Sequence, residues 1–174
     1  MMQEKEWYRT VMKVSDIYNK IINLICVVLL TLQTVVILIM VAGRYIFNNT
    51  PAWSEQSALF FMIWFSILSI SLAVRTDAHV KMETVDKLVS PGVLRYFKLF
   101  GSACCIVFGI ILVRYGVNLT ILTWSNRLSA LRIPVGAQYF SAVAGGVFII
   151  LNAIVYSIEM LAKYEYEQKK GDGR

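Results

Sequence analysis

Histidine, cysteine and buried carboxylates are scarce in this sequence, and their scarcity excludes most catalytic chemistry. The chain has one histidine and three cysteines, and all three cysteines lie inside apolar runs. An odd number of cysteines in such surroundings argues against a disulfide framework, and their spacing fits no metal site. One histidine cannot supply the paired ligands of a haem held between helices. No nucleophile and base can be assembled either, so the sequence predicts no enzyme and no cofactor.

Charged residues are also missing from the middle of four long apolar runs. The 174 residues are 57% hydrophobic, which is more apolar than a soluble domain of this length. About 20 apolar residues cross the roughly 30 Å hydrocarbon layer of a membrane. We therefore predict an all-α integral membrane protein whose four spans lie at about 21–42, 51–74, 93–117 and 138–161. A longer third span that continues to Trp124 is the alternative.

Amphipathic segments flank the predicted membrane domain, residues 21–162. In residues 1–20, apolar side chains recur every three or four positions from Trp7 onward, which indicates a helical stripe. We predict an interfacial arm lying on the membrane, with a straight extension of the first span as the alternative. A second stripe at 82–89 predicts another interfacial helix. The charged tail, residues 163–174, is expected to fray.

Basic residues are distributed unevenly between the two sides that four spans define. Thirteen of the 17 Lys and Arg residues fall in the first 20 residues, the interval after the second span, and the tail. Only Arg44, Arg114, Arg127 and Arg132 belong to the opposite side. Because cytoplasmic loops carry the excess of Lys and Arg, both termini are predicted to be cytoplasmic. The net charge of +6 reflects this bias, and no nucleic-acid-binding motif accompanies it.

The four runs lack the groups that couple transport to ions. None has a central Asp, Glu, His or Pro, whereas proton- or sodium-coupled transporters place ionisable residues or broken helices at mid-membrane. Four-helix multidrug exporters need a carboxylate in the first helix, which this first span does not contain. The chain therefore resembles a packing module more than a carrier.

Small residues recur along the third and fourth predicted spans. Such residues let two helix backbones approach closely in a membrane. The predicted contact residues, spaced mostly by four or seven, are Gly101, Cys105, Gly109 and Gly116 in the third span, and Ser141, Ala142, Gly145 and Gly146 in the fourth.

Two strongly polar side chains interrupt the spans. Gln33 lies near the middle of the first, and it should face protein because an amide in lipid needs a partner. Helix packing and a substrate contact are the two interpretations. Arg114 lies toward the far end of the third span. It either snorkels to the interface or has a buried partner.

Four short motifs are spread over most of the chain. They are Arg44-Tyr45 with Phe47-Asn48, then Trp53-Ser54-Glu55, then Arg75-x-x-Ala78-His79-Val80-x-Met82-Glu83, and Ile133-Pro134-x-Gly136 followed by Tyr139. In their order and spacing, the chain resembles the small DctQ-type membrane subunit of tripartite ATP-independent periplasmic (TRAP) transporters. The resemblance covers length, span number and spacing, and one departure is Gln56, where a second acidic residue is common.

This resemblance implies partners and a location. The family's small subunit pairs with a large membrane subunit that binds substrate and sodium, and a periplasmic protein captures an organic acid such as a dicarboxylate or sialic acid. The small subunit would then widen and anchor the immobile scaffold in the bacterial inner membrane. An independent four-helix exporter or assembly factor is the alternative function.

Charged residues at both ends of the second span receive predicted roles. Arg44 and Glu55 flank a short turn, and they either pair across it or are solvated separately. Arg75, Asp77 and His79 follow the span. They either form a cytoplasmic cap that touches the large subunit or membrane phospholipid, or they are an ordinary charged stop.

Two further arginines lie in the predicted loop before the fourth span. Arg127 and Arg132 are expected to face the periplasm, where a basic loop can steer an acidic partner. They are the predicted docking residues for the periplasmic binding protein, and a solvated loop is the alternative.

Overall fold

The computed structural model describes the chain at residues 2–75 and 91–171, and it is all-helical there, with no strand in those ranges. Each helix contains a stretch long and apolar enough to cross a membrane. This confirms the prediction of an all-α fold with four spans. The helices are α1 (Met2–Tyr45), α2 (Ala52–Arg75), α3 (Pro91–Thr123) and α4 (Gly136–Gly171).

Two helices continue beyond the spans that hydropathy predicts. Helix α1 has 44 residues without a break, so the arm and the first span form one helix, which is the geometry of the straight extension. Helix α4 continues to Gly171. The tail is rich in Glu, Gln and Lys, which favour helix, and fraying of this segment stays a prediction. The stripe predicted at 82–89 lies outside the described residues.

The helices are arranged as a row in the order α1, α2, α4, α3. Extensive contacts join α1 to α2, α2 to α4, and α4 to α3, whereas α1 and α4 touch at few positions. Helix α4 is the most buried of the four spans, and α1 and α3 are the least buried. The two outer helices therefore present long exposed apolar faces.

Glycines bring α3 and α4 into backbone contact. A Cβ on Gly109 would lie 2.9 Å from the Gly146 carbonyl oxygen, and a Cβ on Gly146 would lie 2.9 Å from the Gly109 carbonyl oxygen. Gly116 approaches Val143 in the same seam. On another face of α4, a Cβ on Gly145 would collide with Ile67 of α2. Small residues at these positions therefore permit the observed helix spacing.

Gly101 does not belong to this seam. No atom lies within 4 Å of the position that its Cβ would occupy, so Gly101 makes no close contact inside the described bundle, and a role at a subunit interface stays a prediction. The seam runs instead through the next residue, Ser102. Its hydroxyl donates to the Ala153 carbonyl oxygen at 2.9 Å and lies 2.7 Å from the Ser157 hydroxyl. Hydrogen bonding replaces close backbone packing at this end of α3.

The loop between α1 and α2 and the loop between α3 and α4 are both held by hydrogen bonds. Between α1 and α2, the Asn49 amide donates to the Gly43 carbonyl at 3.0 Å. Asn48 has a φ of 48°, which agrees with the left-handed backbone that its residue type tolerates. Between α3 and α4, the Ala130 amide donates to Gln56 Oε1 of α2 at 2.9 Å. This contact fixes the long loop on the neighbouring helix.

We expect Gly146→Ala to destabilise the fold, because the added Cβ meets the backbone of α3. Forcing a methyl group into a packed contact costs about 1–3 kcal/mol. The measurement is the free energy of unfolding in mixed detergent micelles. Gly101→Ala is the control, since its Cβ has open space, and it should leave stability unchanged. Equal effects of the two substitutions would contradict the seam.

Candidate functional site

A buried amide in α4 is the centre of the largest polar cluster in the described bundle. The Asn152 side chain is fully buried. Its Nδ2 donates to the Ser71 carbonyl oxygen of α2 at 2.8 Å and to Asn19 Oδ1 of α1 at 3.1 Å. Its Oδ1 accepts from Asn19 Nδ2 at 3.0 Å and from the Tyr18 hydroxyl. One side chain thus joins three helices.

A charged pair extends this cluster toward the end of α2. Arg75 donates from Nη1 to the Ser15 hydroxyl and from Nη2 to Asp16 Oδ1, each at 2.6 Å. The Arg75 side chain is 15% exposed and that of Asp16 is 57% exposed, so the pair lies at the boundary between the packed helices and their surroundings. We call the connected set the Asn152 network, which consists of Ser15, Asp16, Tyr18, Asn19, Ser71, Arg75 and Asn152.

The network is suited to positioning helices. Its amides are mutually hydrogen-bonded, and its two charges, on Asp16 and Arg75, neutralise each other. In the described ranges, no group of three or more His, Cys, Asp or Glu side chains is arranged to hold a metal ion. The geometry therefore supports interhelical adhesion, which in a membrane replaces the hydrophobic effect as a source of specificity.

The charged residues predicted around the second span have different surroundings. Arg44 and Glu55 are both exposed, and among the described residues no ion pair joins them. Arg44 lies in the last turn of α1. Glu55 lies in the first turn of α2, where the neighbouring Ser54 is buried and Glu55 is not. Arg75 contacts α1 of its own chain. Asp77 and His79 lie outside the described residues.

The remaining predicted residues lie on exposed surfaces. Arg127 donates from Nη1 to the Arg132 carbonyl oxygen at 2.9 Å, and both side chains are exposed on the loop before α4. Docking of a binding protein there stays a prediction. Arg114 is exposed on α3. Gln33 is half-buried, and its Oε1 has no hydrogen-bond partner among the described residues.

Sequence reasoning missed most of the Asn152 network. Asn152 is an amide inside an apolar run, and an amide in lipid needs a hydrogen-bond partner. The argument that predicts Gln33 to face protein therefore applies to Asn152 equally. Its partners Tyr18 and Asn19 are more than 130 positions away in the chain. Asn19 and Asp16 also lie in the segment that was predicted to be an interfacial arm.

Comparison with known sequences agrees with this architecture. The model of the family described as "Tripartite ATP-independent periplasmic transporters, DctQ component" matches residues 32–163. The chain belongs to the DctQ family. It is therefore a multi-pass membrane component of a TRAP transporter. The matched residues include α2, α3 and most of α4, but they begin after the α1 residues of the Asn152 network.

Curated relatives of this DctQ chain carry related names. The chain is 24% identical over 110 residues to "C4-dicarboxylate TRAP transporter small permease protein DctQ" of Vibrio cholerae, covering 63% of this chain and 46% of that protein. It is 23% identical over 136 residues to a "Putative TRAP transporter small permease protein" of Haemophilus influenzae, covering 75% and 81%. A second protein of that name from H. influenzae is 23% identical over 150 residues, covering 83% and 89%.

We expect Asn19 and Asn152 to be energetically coupled, because each amide satisfies the other. In a double-mutant cycle, Asn19→Ala and Asn152→Ala should each lower the free energy of unfolding. The coupling should be about 0.6–1.7 kcal/mol, the range measured for hydrogen bonds between membrane helices. The measurement is unfolding by SDS in mixed micelles, followed by tryptophan fluorescence.

Asn23 supplies a matched control for this cycle. It has the same side chain one turn further along α1, where it is exposed. Asn23→Ala and Asn152→Ala should therefore be additive. If the Asn19 cycle is additive as well, the network does not join α1 to α4 energetically.

Proposed function

We propose that this DctQ chain is the scaffold subunit of its TRAP transporter. It would hold a large transport subunit in the membrane, while a periplasmic binding protein delivers an organic acid of the dicarboxylate or sialic acid type and a sodium gradient drives uptake. The observation that carries the proposal is the Asn152 network. The fully buried Asn152 side chain joins α4 to α1 and α2 of the same chain, which suits a rigid subunit.

The distribution of charge supports a role outside the transport step. No Asp or Glu occurs in the sequence between positions 87 and 158 or between 17 and 54. Glu55 lies in the first turn of α2, and Asp16 pairs with Arg75 in the last turn of α2. Glu159 lies two residues before the end of the membrane-length part of α4. A sodium site at mid-membrane needs oxygen ligands that are held in place there, so the ion-binding groups would belong to another subunit.

Exposed apolar surface supports the presence of a partner and of lipid. Large hydrophobic side chains are exposed along α1 and α3, the outer helices of the row. A four-helix row has two such flanks, and a large membrane subunit would cover part of this surface. Phospholipid of the bacterial inner membrane would cover the rest.

We expect both termini of this DctQ chain to be cytoplasmic, because 13 of the 17 Lys and Arg residues fall in the two terminal segments and in the interval after the second span. The measurement is the labelling of single cysteines by a membrane-impermeant maleimide in intact spheroplasts, in a background with the three native cysteines replaced. Cysteines at Asn49 and Ser129 should react, whereas one at Lys163 should react only after lysis. Labelling of Lys163→Cys in intact spheroplasts would reverse the proposed orientation.

Reconstitution tests the scaffold function. Proteoliposomes would contain the large subunit of the same transporter, with its binding protein, in the presence or absence of this chain. Labelled C4-dicarboxylate and sialic acid are the probes, under an imposed sodium gradient. We expect this chain to copurify with the large subunit, to be required for uptake, and to give no uptake alone. Uptake by this chain alone would show an independent transporter and refute the scaffold role.

A further inference from the structure

An arginine lies inside the membrane-spanning part of α3, toward its far end. In the α3–α4 seam, Gly109 is level with Gly146 and Gly116 is level with Val143. Arg114 lies between the two glycines, so it is level with the stretch of α4 between Val143 and Gly146. It also precedes the last residue of α3, Thr123, by nine residues, which is about 14 Å along the helix axis.

The side chain of Arg114 points away from the bundle. It is exposed, and none of the described residues forms an ion pair or hydrogen bond with it. The buried residues of α3 are Ser102, Gly109 and Gly116, which form the seam with α4. Arg114 lies on the opposite side, in an exposed row whose other members lie one and two turns before it and one turn after it. These are Val107, Ile111 and Asn118.

Snorkelling does not account for this row. The Cα–Cβ bonds of an α-helix tilt toward its N-terminus. The N-terminus of α3 lies at the same end of the bundle as Arg75, which is the end farther from Arg114. The side chain of Arg114 therefore starts out directed away from the nearer membrane surface. Asn118 adds a second exposed polar group to the row. An arginine inside the hydrocarbon layer without a partner is costly.

A second copy of this chain cannot supply the missing counter-charge. The sequence has no Asp or Glu between 87 and 158, between 56 and 76, or between 17 and 54. Its span-edge carboxylates, such as Glu55, are near helix ends and thus at the wrong depth. The partner of Arg114 must come from a different polypeptide that carries an acidic residue inside a span.

We propose that the Arg114 row of α3 is the contact surface for a spanning helix of the large transport subunit, and that this helix carries an Asp or Glu at the depth of Arg114. The inference rests on the proposed function. Of the two outer helices of the bundle, it assigns α3 as the one that faces the large subunit. Asn118 would bond to a polar group of the same helix one turn away. A buried charge pair of this kind fixes the register of two helices as well as joining them.

Copurification of the tagged chain with its coexpressed large subunit tests the assignment. Arg114→Leu should reduce the retained large subunit at least about tenfold, equivalent to about 1.4 kcal/mol, while Arg114→Lys should retain part of it. Leucine suits an apolar span, so the variant should still insert and fold, as monodispersity in detergent would verify. Arg44→Leu is the matched control, because Arg44 is also exposed without an ion pair but lies at a helix end.

Neutralising each Asp and Glu in the spans of the large subunit identifies the other half of the pair. One of these substitutions should reproduce the loss and should add nothing to Arg114→Leu. Full retention of the large subunit by Arg114→Leu overturns the proposal. The same holds if the variant retains the large subunit but loses bound anionic phospholipid in native mass spectrometry, because Arg114 would then bind lipid. If the wild-type chain itself does not retain the large subunit, the proposed scaffold function fails along with it.

Discussion

A polar group in the hydrocarbon layer has no water to bond to, and the packing of this DctQ chain depends on that constraint. Asn152 is fully buried in α4, and its amide is satisfied only if α1 and α2 are both in place. The pairing with Asn19 sets the height of α1 against α4, and the bond to the Ser71 carbonyl sets the height of α2. Apolar packing alone tolerates sliding of one helix along another, whereas these directional bonds do not.

The fourth helix of the row is attached by different physics. Helix α3 meets α4 through Gly109 and Gly146, whose backbones approach so closely that neither position has space for a Cβ. Its one buried polar anchor in the described residues, Ser102, bonds to α4 near the other end of the seam. Dispersion forces over a long smooth seam therefore hold α3, while a compact polar network holds the other three helices. The two types of contact use opposite faces of α4, which explains why it is the most buried helix.

Much of this architecture follows from local properties of the sequence. Four spans follow from run length and hydropathy, and the left-handed turn at Asn48 follows from residue type. The glycine seam was predicted from spacing, but a row of small residues does not fix which face is used, and Ser102 occupies the place expected for Gly101. The Asn152 network was missed for another reason. Its members are separated by most of the chain, and a sequence pattern shows that an amide needs a partner without showing which residue that partner is.

The groups left without partners are as informative as those that are satisfied. The chain completes the hydrogen bonding of Asn152, yet it leaves Gln33 Oε1 and Trp64 Nε1 buried without a partner among the described residues. It also leaves Arg114 exposed within the third span. Each such group is unfavourable in a membrane. The hydrogen bonds of Asn152 are all made within the bundle. A carboxylate on a neighbouring helix such as α4 would satisfy an arginine in the same way. The absence of any acidic residue between 87 and 158 thus argues that Arg114 is matched to a surface that this chain does not itself contain.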